Sequence, residues 1–216
     1  MKTAFLINSG GLDSVAAMYY YHKKGFKVIN IHFDYGQQTF KKTKKDLKFH
    51  SSKLNQKLHI LKLSYIPSLM DTSKAWVEKV SKASKESAYI PHLIGFLFMA
   101  SLQFILIKYK NLPSIFIILA TQYSSVQIKE TITTRNKVLK SDCSIEYLNL
   151  LERLAQIGSV NSRVKLLTPF LHLDKIDVIN IANKFSISSS RVSSCESYPP
   201  CGKCWKCEHN KTYLTN

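Results

Sequence analysis

Glycine is scarce in this chain, with seven in 216 residues, and none of them falls into a G-x-x-x-x-G-K-[S/T] or a G-x-G-x-x-G pattern. That excludes two common phosphate-binding loops, the P-loop and the dinucleotide fingerprint. Acidic side chains are also few: 14 Asp and Glu stand against 31 Lys and Arg, a formal net charge of +17. No apolar run is both long and unbroken enough to read as a membrane span. The stretch 90–107 is interrupted by Pro91, His92, Gly95, Ser101 and Gln103 and reads as a buried helix, and 112–120 is too short and reads as a buried strand. Met1-Lys2 leads directly into a short strand, with no long apolar stretch of the secretory kind, so the sequence predicts no signal peptide and a cytoplasmic protein. There are no internal repeats.

Hydrophobic residues make up 45% of the chain, enough for the core of one α/β domain. Apolar periodicity places strands at 4–8, 27–33, 58–63, 115–120 and 164–167. Helices are expected at 14–24, ended by Gly25, and at 41–54, with Leu47 and Leu54 on one side. Further helices are expected at 91–108, at 129–157 from the spacing of Val138, Ile145, Leu148, Leu151 and Leu154, and at 174–184 with Ile176, Ile179 and Ala182 as its apolar face. Polar residues 67–88 read as a mobile loop over the site. The β-α-β order implies an open, mainly parallel sheet with helices on both faces, which binds ligands at the carboxyl edge of its strands. Residues 1–185 form this domain, and a serine-rich link leads to a small C-terminal segment, 186–216.

The informative glycines are Gly10 and Gly11, in Ser9-Gly10-Gly11-Leu12-Asp13-Ser14 after the first strand. A strand that ends in a glycine turn and opens a helix aims backbone N–H groups and the positive end of the helix dipole at an anion. Ser9 and Ser14 add hydroxyls, and Asp13 is an acid of the kind that holds magnesium beside phosphates. The net charge fits an acidic partner such as ATP, RNA or an acidic protein, and it equally fits the compositional bias of a lysine-rich chain.

Four of the five cysteines lie in Cys195-x5-Cys201-x2-Cys204-x2-Cys207. In a reducing compartment this spacing means metal rather than disulfides. Four thiolates close a tetrahedral zinc site with no position left for water, so the ion is expected to be structural. An iron–sulfur cluster and a redox thiol pair are the alternatives.

The loop at 9–14 resembles the pyrophosphate loop of the ATP pyrophosphatases, whose fold is that of the adenine nucleotide alpha hydrolases. With the four cysteines at the other end, the chain resembles the 7-cyano-7-deazaguanine synthase family. Phe33-Asp34-Tyr35-Gly36-Gln37, Thr168-Pro169-Phe170 followed by Asp174-Lys175, and Cys201-Gly202-Lys203-Cys204 agree with segments of that family. Leu93 and Ile94 stand where the family usually has arginine and asparagine. The resemblance implies ATP, magnesium, a deazaguanine carboxylate and ammonia as reactants, with adenylation releasing pyrophosphate into the loop. It implies that Ser9, Gly10, Gly11, Leu12 and Ser14 hold the nucleotide's phosphates and Asp13 the magnesium. Lys175 would contact phosphate, Asp34 and Gln37 would line the pocket, and the protein would be a homodimer.

Two other readings keep the same loop chemistry. A relative of the kind found in anti-phage operons would join a deazaguanine to a partner protein, which the net charge and Leu93-Ile94 favour. A tRNA-modifying adenylase is disfavoured by the lack of a recognised RNA-binding domain. No membrane partner is expected. Because metal binding supplies folding free energy in such sites, Cys204→Ser is expected to lose zinc and solubility together, read by metal analysis and soluble yield. A folded variant with full metal content removes the tetrathiolate reading.

Overall fold

The computed structural model describes residues 2–63, 92–110, 112–122, 143–159, 163–193 and 195. The expected loop at 67–88, the first part of the helix expected at 129–157, and Cys201, Cys204 and Cys207 lie outside them. Among the described residues, five strands form one parallel sheet in the order β3-β2-β1-β4-β5: β1 (Thr3–Ile7), β2 (Lys27–Asp34), β3 (Lys57–Lys62), β4 (Ser114–Ile118) and β5 (Arg163–Leu167). The chain runs outward from β1 to β3, then returns to lay β4 on the other side of β1. In register, Phe5 sits between Ile29 of β2 and Ile117 of β4. The strand order therefore reverses at β1, and open sheets of this kind bind ligands beyond the carboxyl ends at such a reversal.

Strand alternation divides the core into two layers. Ala4, Leu6, Val28 and Ile118 face α1 (Leu12–Lys23), α2 (Phe40–Lys53) and α5 (Lys175–Lys184). Phe5, Ile7, Ile29, Ile31 and Ile117 face α3 (Leu93–Lys108) and α4 (Ile145–Gly158). Helices thus cover both faces, as the order of elements implies. In α1, Val15, Ala16 and Met18 are fully buried. The helix ends in two bonds that satisfy its last carbonyls, Gly25 N–H to His22 O at 3.0 Å and Phe26 N–H to Tyr21 O at 3.1 Å.

Two helices present different faces from those their apolar spacing suggests. In α5 the buried residues are Val178, Ile179 and Ala182, and Ile176 is 65% exposed. A three-residue repeat drifts around a 3.6-residue helix, so Ile176 leaves the stripe and Val178 enters it. In α4, Leu148, Leu151 and Ala155 are buried, whereas Ile145 and Leu154 are exposed. The same drift explains this. Ser144 caps α4, its hydroxyl accepting from Tyr147 N–H at 3.1 Å. A reciprocal pair, Asp174 with Asp177, caps α5.

A buried polar seam binds α1 and α2 to the segment that follows α5. His50, 1% exposed, donates from Nε2 to the Arg191 carbonyl at 2.9 Å, because a carbonyl can only accept. Its Nδ1 then accepts from the Tyr19 hydroxyl at 2.9 Å. Burial, helped by the nearby Lys53 and Arg191 charges, holds the His50 pKa below its ordinary 6.5, and burial does the same to His32. Below about 6.5 the unfolded chain takes up protons that the folded chain refuses, so these histidines support stability at neutral pH and withdraw it as pH falls. The slope is at most about 1.4 kcal/mol per pH unit for each ring. Urea midpoints are expected to be level above pH 7 and to drop between pH 6.5 and 5.5. A profile level down to pH 5.5 contradicts this account.

Candidate functional site

At the carboxyl end of β1 the chain enters Asn8-Ser9-Gly10-Gly11 and then α1. Gly10 has φ +76°, a left-handed conformation that side chains other than glycine rarely adopt. Its N–H donates to Asn8 Oδ1 at 3.0 Å, and its carbonyl accepts from Ser193 N–H at 2.8 Å. A Cβ on Gly10 would run into Thr43 Cγ2 of α2. The turn is therefore held from below, from the side and from the C-terminal segment. Ser9 Oγ and Ser14 Oγ lie 3.0 Å apart, and Ser9 N–H lies 3.4 Å from Ser14 Oγ, which closes the loop on itself. The first N–H groups of α1 have no carbonyl within the helix to bond, so they are directed at whatever occupies the space above.

That space is a cavity of about 250 Å³. It brings together Ser9, Gly11, Leu12, Asp13, Gln37 and Lys175 from positions far apart in the chain, with Cys195 also in its wall. Lys175 is the first residue of α5, where a cation opposes the helix dipole; the Asp174–Asp177 cap lies beside it. Its Nζ sits 2.6 Å from Asp13 Oδ1, joining the starts of α1 and α5 across the mouth of the loop. Both side chains are partly exposed, so the pair contributes about 1 kcal/mol or less to stability and remains free to exchange partners. Gly10 and Ser14 lie under the loop rather than in the cavity wall.

The segment after β2 forms a tight turn. Asp34 Oδ1 accepts from Gly36 N–H at 3.2 Å. Gln37 Oε1 accepts from Tyr35 N–H at 2.9 Å, while its Nε2 donates to the Phe33 carbonyl at 2.7 Å. Gln37 and Tyr35 reach the cavity; Asp34, expected to line it, shapes the turn and is not among the lining residues. Leu93 and Ile94 pack against the second core layer, and their neighbour Leu97 reaches the cavity.

Three positions that build the cavity or brace its loop are not signalled by any local motif. Asn8, 1% exposed, also donates from Nδ2 to Asn30 Oδ1 at 3.0 Å, tying the loop to β2. His32 lines the cavity from β2. Lys42 of α2 bonds Asp46 Oδ2 at 2.6 Å, the Val192 carbonyl at 3.2 Å and Ser193 Oγ at 3.3 Å. It thus pins the segment leading to Cys195 beside the loop after β1. Only the i, i+4 spacing of Lys42 and Asp46 was visible locally, and such spacing is usual on solvated helices.

A family model described as "Queuosine biosynthesis protein QueC" matches residues 3–216. The chain belongs to the QueC family. A curated 7-cyano-7-deazaguanine synthase of Campylobacter fetus is 24% identical, over 96% of this chain and 90% of its own length. One from Campylobacter jejuni is 27% identical, over 95% of this chain and 90% of its own. QueC relatives are thus named as synthases, and the family is one of enzymes. In fold, the chain is similar to a 4-thiouridine synthetase solved with RNA and bound ATP, with a TM-score of 0.52, 13% identity, and cover of 99% of this chain and 50% of that one.

Among the described residues no three His, Cys, Asp or Glu side chains converge to hold a metal, and only Cys195 of the four clustered cysteines is described. Also among them, no helix is long and apolar enough to cross a membrane. Gly10→Ala is expected to cost about 2–4 kcal/mol, from the left-handed backbone and the overlap with Thr43. Denaturant melts check this; a change under 1 kcal/mol shows that the loop relaxes around a Cβ.

Proposed function

We propose that this protein uses ATP to adenylate the carboxylate of 7-carboxy-7-deazaguanine and carries it through amide to nitrile. The observation that supports this reading best is the meeting of Gly11, Asp13 and Lys175 at one cavity beside the N-terminus of α1. One face offers N–H groups and a lysine to phosphates, and a carboxylate stands where it can share a cation with them.

In the first step a carboxylate oxygen attacks the α phosphorus of ATP, and the bond to the β-phosphate oxygen breaks. Pyrophosphate leaves with that electron pair. Ammonia then adds to the acyl carbon, loses a proton and expels AMP, which leaves the amide. Adenylation of the amide oxygen, followed by loss of AMP and of the two amide N–H protons, gives the nitrile. Such chemistry depends on positioning and on charge stabilisation more than on covalent help from side chains. The loop 9–14 holds the departing pyrophosphate, with Ser9 donating its hydroxyl and Ser14 bracing Ser9 from beneath. Lys175 moves from Asp13 to the phosphate oxygens as these enter, which frees the Asp13 carboxylate. That carboxylate suits magnesium, an ion often bound by one or two carboxylates together with substrate phosphates. Gln37 and Tyr35 border the acceptor side. Cys195, Cys201, Cys204 and Cys207 would hold a structural zinc; the donor chemistry suits it, and Cys195 is buried at the cavity wall.

Leu93 and Ile94 favour a variation on this theme. With apolar side chains in place of the family's arginine and asparagine, this part of α3 packs into the core. An acceptor bound by other groups, including one on a partner protein, fits that change.

The test is a mass-spectrometric assay with ATP, magnesium, ammonium and 7-carboxy-7-deazaguanine. Nitrile, AMP and pyrophosphate are expected, and both Asp13→Ala and Lys175→Ala are expected to lower turnover by about 100-fold, with Lys175→Ala slowing turnover more than it weakens ATP binding. Amide alone points to a halfway enzyme. No AMP above background, with ATP binding retained, moves the acceptor to another class of molecule. Full turnover in either variant removes that residue from the mechanism.

A further inference from the structure

His32 has no part in the steps above, yet it is placed as a ligand-reading group. It sits near the end of β2, 3% exposed, in the wall of the same cavity. Its Nδ1 lies 2.8 Å from the main-chain oxygen of Asn8. A carbonyl only accepts, so Nδ1 carries the proton and Nε2 is left as a bare acceptor. The ring of Phe40 stacks on the imidazole at 5.7 Å with 4° between the planes, which fixes its orientation. Nε2 is buried and has no hydrogen-bond partner among the described residues. A buried acceptor left unpaired is costly, and one on a ring that lines a cavity is a candidate partner for a ligand's donor. Burial also keeps the ring neutral, which preserves the lone pair. Ionised phosphates offer only acceptors, so the donor must come from another part of what binds.

We propose that His32 Nε2 accepts a hydrogen bond from the exocyclic amino group of a purine-type base bound in this cavity, and so selects amino-bearing bases. The inference rests on the adenylation reading, which offers two sources of that chemistry: the 6-amino group of adenine in ATP and the 2-amino group of the deazaguanine acceptor. Both lack a counterpart among analogues that are otherwise the same shape, which makes the contact measurable from the ligand side.

Calorimetry on the full chain compares ATP with inosine triphosphate in one arm. In the other, with a non-hydrolysable ATP analogue present, it compares 7-carboxy-7-deazaguanine with the same compound lacking its amino group. In one arm the native protein is expected to bind the amino ligand about tenfold more tightly. His32→Phe is expected to erase that difference, and His32→Gln, whose amide reaches the Nε2 position, to keep most of it. The arm that responds names the source. Equal affinities in both arms, or a difference untouched by His32→Phe, overturn the proposal. If His32→Phe fails to fold, His32→Gln is set against His32→Asn, whose amide reaches only the Nδ1 position; equal discrimination by the two overturns it as well. A protein that does not bind ATP at all defeats the adenylation reading and this inference with it, whereas ATP binding without discrimination in either arm defeats only the role of His32.

Discussion

The site depends on one buried asparagine. Asn8 uses all its polar groups: its N–H donates to Ile31 O at 2.8 Å, its carbonyl accepts from His32 Nδ1, its Oδ1 accepts from Gly10 N–H, and its Nδ2 donates to Asn30 Oδ1. These bonds fix three things at once: the pairing of β1 with β2 at the sheet's open edge, the left-handed turn at Gly10, and the tautomer of His32. A side chain 1% exposed and fully satisfied contributes rigidity, because any movement of the turn leaves a buried donor or acceptor without a partner. The loop that would meet phosphates is therefore preorganised by the sheet beneath it and does not wait for a ligand to take its shape.

A second constraint comes from the far end of the chain. Lys42, Asp46 and His50 recur every fourth residue along one face of α2, and together they bind residues 190–193. Ser193 then donates to the carbonyl of Gly10. The approach to the cysteine cluster is thus one hydrogen bond from the anion loop. Residues 193 and 195 share the cavity with Gly11. From this end of the chain, Ser193 and Cys195 complete the described wall of the cavity.

The features that the sequence displayed most clearly are local ones. Ser9 to Ser14 announce their conformation because glycine and hydroxyl residues at fixed spacing leave few alternatives, and the strands announce themselves by unbroken apolar runs. Asn8, His32 and Lys42 are silent for the opposite reason. Their partners lie 22, 24 and about 150 residues away, and nothing in the neighbouring sequence marks a polar residue as buried. The same limit explains Asp34, whose carboxylate closes a turn, and Ile176, whose exposure follows from the phase of α5 against the sheet. Lys175 stood out as a cation at a helix start, and its partner Asp13, 162 positions earlier, emerges only in three dimensions.

The shortage of acidic residues acquires a use in this setting. Asp13 in the cavity wall and the buried Asp46 of α2 are each matched by a lysine at 2.6 Å. Lys41, Lys45 and Lys48 remain exposed on α2. Inside, Ile7, Phe33 and Leu97 line part of the cavity and lower the local dielectric, so each contact to a phosphate is stronger there than in water. On the proposed reading, the Asp13–Lys175 pair would hold a cation at the loop before the nucleotide arrives, at almost no cost in stability, and would release it to the phosphates where negative charge accumulates.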